Sequence, residues 1–295
     1  MDWNTPALAL CAAALSLVAS PSVAQDEPET LAPVTNWTLD YGENSCALSR
    51  VFGTEEDPVL FEMRQYAPAT PFYATVLSQR AMLAEPDIRL VYEGNSPSED
   101  GVTVWMLDAG QGMRGFRTKL YTQAPLGEIP FAPENPERDM HEAGISYVDV
   151  TGAYPRTLRL DTGAMGPAFA AMRDCSIGLL EEWSLNVDAH RSLSEMARWD
   201  TQRSGFQRVY RRMSTEMREQ FVRGNVPVRM MVDTEGRISS CEALTPYADA
   251  EHTSAFCDVA VDFMRYTPAR DAAGEPIATF AIEGVHQLRT QGISR

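Results

Sequence analysis

From Trp37 onward, short runs rich in β-branched and aromatic residues recur between turn signals: "NWTLDYG", "CALSRVFG", "PVLFEMRQY", "PFYATVLS", "IRLVYEG", "VTVWML" and "FRTKLYT". Short strands at this spacing predict an antiparallel sandwich or barrel. The Pro- and charge-rich stretch from Leu126 to Gly144 reads as a long surface loop, after which "SYVDV" and "TLRLD" resume the strand pattern. The period then changes. Phe169, Met172, Cys175, Leu179 and Trp183 recur at helical spacing, which predicts a helix opening after Asp161, Thr162 and Gly163 and running to about Trp183. Cys175 lies on its apolar stripe, where Cys46 on an early strand could meet it.

Leu185 to Ser204 is polar and aperiodic and reads as a linker between domains. A second helix is expected over about Gly205 to Arg223, with Phe206, Tyr210, Met213, Met217 and Phe221 on one side and Gly224 as its stop. In "VPVRMMVD" Val226, Val228 and Met230 alternate with Pro227, Arg229 and Met231. "TEG" supplies a turn in which Gly236 is free to take positive φ, and "RISSCEAL" returns as the partner strand. A helix from roughly His252 to Arg265 and a last strand, "IATFAIEGV", follow. The fold class is therefore α+β: a β-rich N-terminal domain with one helix over 37–184, the linker over 185–204, and a C-terminal domain of helices and strands over 205–295.

Composition narrows the setting. A hydrophobic content of 44% over 295 residues supports real cores, and a formal net charge of -16 excludes nucleic acid as a natural partner. The apolar run Ala7 to Ala19 ends in Ser22, Val23 and Ala24, a small-x-small pattern that predicts a cleaved export signal over 1–24 and a periplasmic location. Asp2, with no Lys or Arg before the run, keeps a short uncleaved anchor as the alternative. Residues 25–36 have the acidic, proline-bearing composition of a flexible lead-in. Without the signal, Cys46, Cys175, Cys241 and Cys257 remain, an even number that in an oxidising compartment predicts two disulfides, against four unpaired buried thiols.

The order of helix, hairpin, helix, Pro-Ala-Arg loop and strand resembles the C-terminal domain of the TonB energy transducers. The matching residues are Gly224, Val226, Val228, the run Val232 to Arg237 ("VDTEGR"), Cys241, Cys257, the run Thr267 to Asp271 ("TPARD") and Gly274 to Pro276 ("GEP"). The resemblance covers about the last third of the chain. It implies a three-stranded antiparallel sheet backed by two helices, with Cys241 bridged to Cys257 so that helix is stapled to strand. It also implies a protein-binding module linked to envelope transport, whose last strand, Ile277, Ala278, Thr279, Phe280, Ala281 and Ile282, takes an extended segment of an outer-membrane or periplasmic partner. The N-terminal domain, the C-terminal tail or a second copy of the chain, giving a homodimer, are the competing occupants of that edge. Upstream, "YGENSCALSRVFG" and "DTGAMGPAFAAMRDC" resemble the leading domain of exported, uncharacterised proteobacterial proteins, a likeness that carries no activity.

Catalysis has one candidate. Asp161 in "RLDTGAMG" resembles the active-site turn of aspartic proteases, which requires a second such motif or a symmetric dimer, and no second Asp-Thr-Gly occurs. The competing reading has Asp161 or Thr162 capping the following helix. His141 and Glu142 lack the second histidine of a helical zinc motif, and His190, His252 and His286 are scattered as surface or satisfied core residues. No phosphate loop or metal spacing is present, so no cofactor is expected. A binding protein without enzymatic activity is the leading expectation, with a periplasmic hydrolase using Asp161 or a structural envelope protein as alternatives.

Overall fold

The computed structural model describes residues 27–68, 70–92, 104–120, 136–200, 227–244 and 250–284. The expected export signal and the helix expected over 205–223 lie outside these residues.

Among the described residues, ten strands build the N-terminal part: β1 (Glu29–Leu31), β2 (Thr38–Gly42), β3 (Ser45–Gly53), β4 (Pro58–Gln65), β5 (Phe72–Ser78), β6 (Arg89–Tyr92), β7 (Val104–Gly110), β8 (Met113–Leu120), β9 (Tyr147–Thr151) and β10 (Leu158–Asp161). Six form an antiparallel sheet in the order β2-β3-β4-β5-β8-β7, and four form a second sheet in the order β1-β10-β9-β6. Strict alternation along β4 buries Val59, Phe61 and Met63 and turns Leu60, Glu62 and Arg64 outward. These residues share one core with Leu90, Val148, Val150 and Leu160 of the second sheet and with Phe169, Met172 and Leu179 farther along the chain.

Three helices among the described residues belong to this half: α1 (Pro136–Gly144), α2 (Gly166–Glu182) and α3 (Val187–Arg191). The stripe expected on α2 is buried at Phe169, Met172, Cys175 and Leu179. Cys175 is disulfide-bonded to Cys46 on β3. The loop expected from Leu126 to Gly144 is helical over α1. Pro at its first position and Gly at its last are start and stop signals that the local charge obscured. A Cβ on Gly166 would lie 3.3 Å from the Ala143 Cα, so glycine lets the start of α2 approach α1 closely.

Two segments expected to be irregular are ordered by distant partners. The lead-in contributes β1, which runs parallel to β10 and buries Leu31. Its polar flank is held by Glu29, which pairs with Arg80 at 2.8 Å. The expected linker folds into α3, capped by the Asn186 side chain accepting from the Ala189 N–H at 3.0 Å. It then buries Leu193 completely and adds β11 (Arg198–Trp199).

The C-terminal part contains β12 (Pro227–Val232), β13 (Ile238–Ala243), helix α4 (Ala250–Phe263), β14 (Tyr266–Thr267), β15 (Ala269–Arg270), β16 (Pro276–Ile277) and β17 (Thr279–Gly284). Its antiparallel sheet has the order β13-β12-β17. Gly236 takes φ +78° in the β12–β13 turn. Helix α4 crosses one face, packing Phe256, Ala260 and Met264 on Val228, Met230 and Val232, and Cys257 is bonded to Cys241 on β13. The other face is covered too. Met231, Phe280 and Ile282 lie against Leu180, Trp183, Leu185 and Leu193, so the sheet sits between α4 and the N-terminal half.

Candidate functional site

The expected edge residues divide among three settings. Ile277 belongs to β16 and pairs with Ala269 of β15, and Ala278 is an exposed residue between strands. The edge strand proper begins at Thr279 and pairs with β12 from Thr279 opposite Val232 to Gly284 opposite Pro227. The prolyl carbonyl of Pro227 accepts the Leu244 N–H at 2.9 Å, on the β13 side. Because successive residues of a strand point their backbone groups to opposite sides, Pro227, Arg229 and Met231 bond towards β13, and Val228, Met230 and Val232 towards β17. Opposite the latter stand Glu283, Ala281 and Thr279, whose N–H and C=O groups therefore face β12. Phe280 and Ile282 direct theirs away from the sheet.

Side chains of β17 are tied to both halves of the chain. Ala281 joins the core under α4, while Ile282 reaches the cluster of Tyr66, Tyr73, Trp105 and Leu244. Phe280, 4% exposed, meets the Trp183 indole edge-on with ring centres 5.3 Å apart and lies nearly parallel to the His190 ring, at 14° and 6.3 Å. His190 is fully buried. Its Nδ1 lies 2.7 Å from the Asn186 carbonyl oxygen and must donate there, which leaves Nε2 to accept from the Thr279 hydroxyl at 3.0 Å. Burial lowers the pKa of this imidazole, opposed by the hydrogen bond to the Asn186 carbonyl.

Arg229 closes the same joint from β12. Its guanidinium lies over the Trp183 ring, 4.4 Å from the centroid, and donates to Asn44 Oδ1 at 2.8 Å and to the Glu242 carboxylate. Asn44, in the β2–β3 turn, donates in turn to Glu242 at 3.1 Å. Nothing in the sequence joined Asn44 to Arg229 and Glu242, because these polar partners lie in opposite halves of the chain. In the stretch read as a linker, "NVDAH" holds the local signal that was missed: an Asn cap placed four residues before a histidine that turns back onto it.

Asp161 is exposed at the end of β10, and its carboxylate accepts the Gly163 N–H at 3.4 Å. The expected cap is not made. Helix α2 starts later, at Met165 with Pro at its first turn, and carries no side-chain cap. Thr162 is buried and bonds the Gly163 carbonyl instead. His141 and Glu142 lie on α1, where Glu142 is 4% exposed and paired with Arg173 of α2. Burial raises the Glu142 pKa, with Arg173 opposing. A hollow of about 500 Å³ is lined by Glu29, Asp57, Arg80 and Tyr154, but there Arg80 is already shared between Glu29 and Asp57 at 2.8 Å each. Among the described residues no cluster of three or more His, Cys, Asp or Glu side chains could hold a metal ion, and no helix is long and apolar enough to cross a membrane.

Comparison of the chain with protein-family models, with curated proteins and with solved structures finds no match.

Proposed function

We propose that this chain is an exported periplasmic protein whose C-terminal part, resembling the TonB C-terminal domain, is a protein-binding module that takes an extended segment of an envelope partner alongside β17. One observation carries the reading: β17 ends its sheet among the described residues, with the backbone groups of Ile282 turned away from β12. Such groups bind a partner strand by main-chain hydrogen bonds. Two disulfides, one in each half, fit an oxidising compartment.

The test is photo-crosslinking in intact cells from positions 278 and 282. In an added antiparallel strand the two crosslinks should fall about four residues apart in one partner segment, and the crosslink from position 278 should disappear in a folded Ile282→Pro variant. Crosslinks that survive in that variant, or that scatter over unrelated partner surfaces, would rule out strand addition. Crosslinks to a second copy of the chain would identify the edge as a dimer contact.

A further inference from the structure

We infer that His190 is an acid-sensitive latch: as a neutral ring it ties α3 to β17, and on taking up a proton it loosens the joint between the two halves of the chain. Its Nε2 reaches Thr279, 89 positions away on β17, while its Nδ1 bonds the Asn186 carbonyl at the start of α3. Both bonds suit the neutral ring, with Nδ1–H donating and Nε2 accepting. A second proton makes Nε2 a donor. The Thr279 hydroxyl must then turn to accept, and a cation is left fully buried beside Phe280. Desolvating that charge is costly, and lifting α3 from β17 lets water solvate it.

Among the described residues, the charged side chains on the surrounding elements are paired elsewhere or exposed. On α3, Arg191 and Asp188 face each other at 3.9 Å, and after it Glu195 lies 3.9 Å from Arg270 of β15. Glu181 and Glu182, at the end of α2, are exposed. Arg229 on β12 is engaged by Trp183, Asn44 and Glu242. On β17 the residues that meet His190, Thr279 and Phe280, are uncharged.

The direction follows from the lowered pKa of the buried ring. Its folded-state value lies below that of the released ring, about 6.5. The joint is therefore fully held above about pH 6.5 and weakens as pH falls towards the lowered value, with opening coupled to uptake of one proton. Glu142 is shifted upwards and has the opposite dependence, so it cannot imitate this effect.

Amide exchange of the full chain between pH 5.5 and 7.5 tests the latch without any partner, and so independently of strand addition. Protection factors over 187–191 and 279–283 should fall by up to tenfold per pH unit below about 6.5, while β3 to β5 stay unchanged. In His190→Gln they should not depend on pH. Thr279→Val, which removes the hydroxyl that the neutral ring accepts from, should lower protection at every pH while the onset of the pH-dependent loss stays near about 6.5, the value of the released ring. Equal pH dependence in the parent and His190→Gln, or no loss of protection in the parent, would overturn the inference. If His190→Gln does not fold, the imidazole C–H titration of the parent decides: an apparent pKa at or above the ordinary value, with protection constant across it, would also overturn it.

Discussion

The Arg229 guanidinium lies 4.4 Å over the Trp183 ring and joins the last sheet of the chain to the end of α2. The cation is half-buried and the contact is flanked by Asn44 and Glu242, so flat stacking and a forked donor are both used. Lysine supplies neither. Arg229→Lys should therefore lower stability by about 1–2 kcal/mol, on the scale of a partly desolvated cation–π contact. The Trp183 Nε1 has no hydrogen-bond partner. Trp183→Phe keeps a ring without that buried donor and should be nearly neutral, whereas Trp183→Ala should cost about 2–3 kcal/mol for a partly buried aromatic. Urea unfolding with an unchanged slope checks all three, and a Trp183→Phe cost matching that of Ala would show that the indole N–H, not the ring, is what counts.

Gly236 makes the β12–β13 turn intolerant of any side chain. Its φ of +78° is uncommon for other residues, and a Cβ there would stand 1.9 Å from the Tyr266 carbonyl oxygen. That carbonyl is backbone and cannot swing aside. The neighbouring Gly236 carbonyl accepts the Tyr266 N–H at 2.8 Å, so the approach is fixed from both sides. Gly236→Ala should cost well over the roughly 1 kcal/mol of an ordinary left-handed alanine and unfold the C-terminal half first. Exchange of α4 and β12 amides at a temperature where β3 to β5 remain protected is the measurement; uniform protection would show that the turn can shift.

This turn also shows what was legible. Alternation over 226–231, a turn glycine and a helical stripe are local signals, and they placed β12, β13, α4 and α2 within a few residues. Cys46 and Cys175 were placed on a strand and on a helical stripe by the same means. β1 and α3 were not legible as ordered elements. The three residues of β1 pair with β10, over 120 residues later, and α3 is held by a cap and by His190 reaching β17. The missed helix cap at Asp161 has a local cause: three further residues, ending with Met165, carry the chain past Thr162 before Pro167 opens the first turn.

The two disulfides should separate under reduction. Cys46 and Cys175 are 0% and 5% exposed, whereas Cys241 and Cys257 are only half-buried. Attack by a thiolate requires access to sulfur, so limiting dithiothreitol should open Cys241–Cys257 first. Stability should respond in the reverse order. The first bridge spans 129 positions and the second 16, and loop-closure entropy assigns them about 5 and about 3 kcal/mol. Differential alkylation with peptide mapping reads the order of opening, and melting of the paired Cys→Ala variants reads the cost. Simultaneous opening would show that reduction proceeds through global unfolding.

Proline along β17 should discriminate sharply between adjacent residues. The Ala281 N–H faces β12, so Ala281→Pro removes a ladder hydrogen bond from the middle of the pairing and places a ring against the neighbouring strand. A loss of about 3 kcal/mol or more is expected. The Ile282 N–H points away from β12, and Ile282→Pro leaves the ladder whole. It loses part of the contact with Tyr66, Tyr73 and Leu244, for about 1–2 kcal/mol of the kind that a shortened, half-buried side chain costs. Thermal melting by circular dichroism should therefore rank parent, Ile282→Pro and Ala281→Pro in descending order. The assignment rests on the Leu244 N–H reaching the Pro227 carbonyl on the far side of β12. A reversed ranking would mean that the outward groups belong to Thr279, Ala281 and Glu283, and strand addition would then have to use those instead.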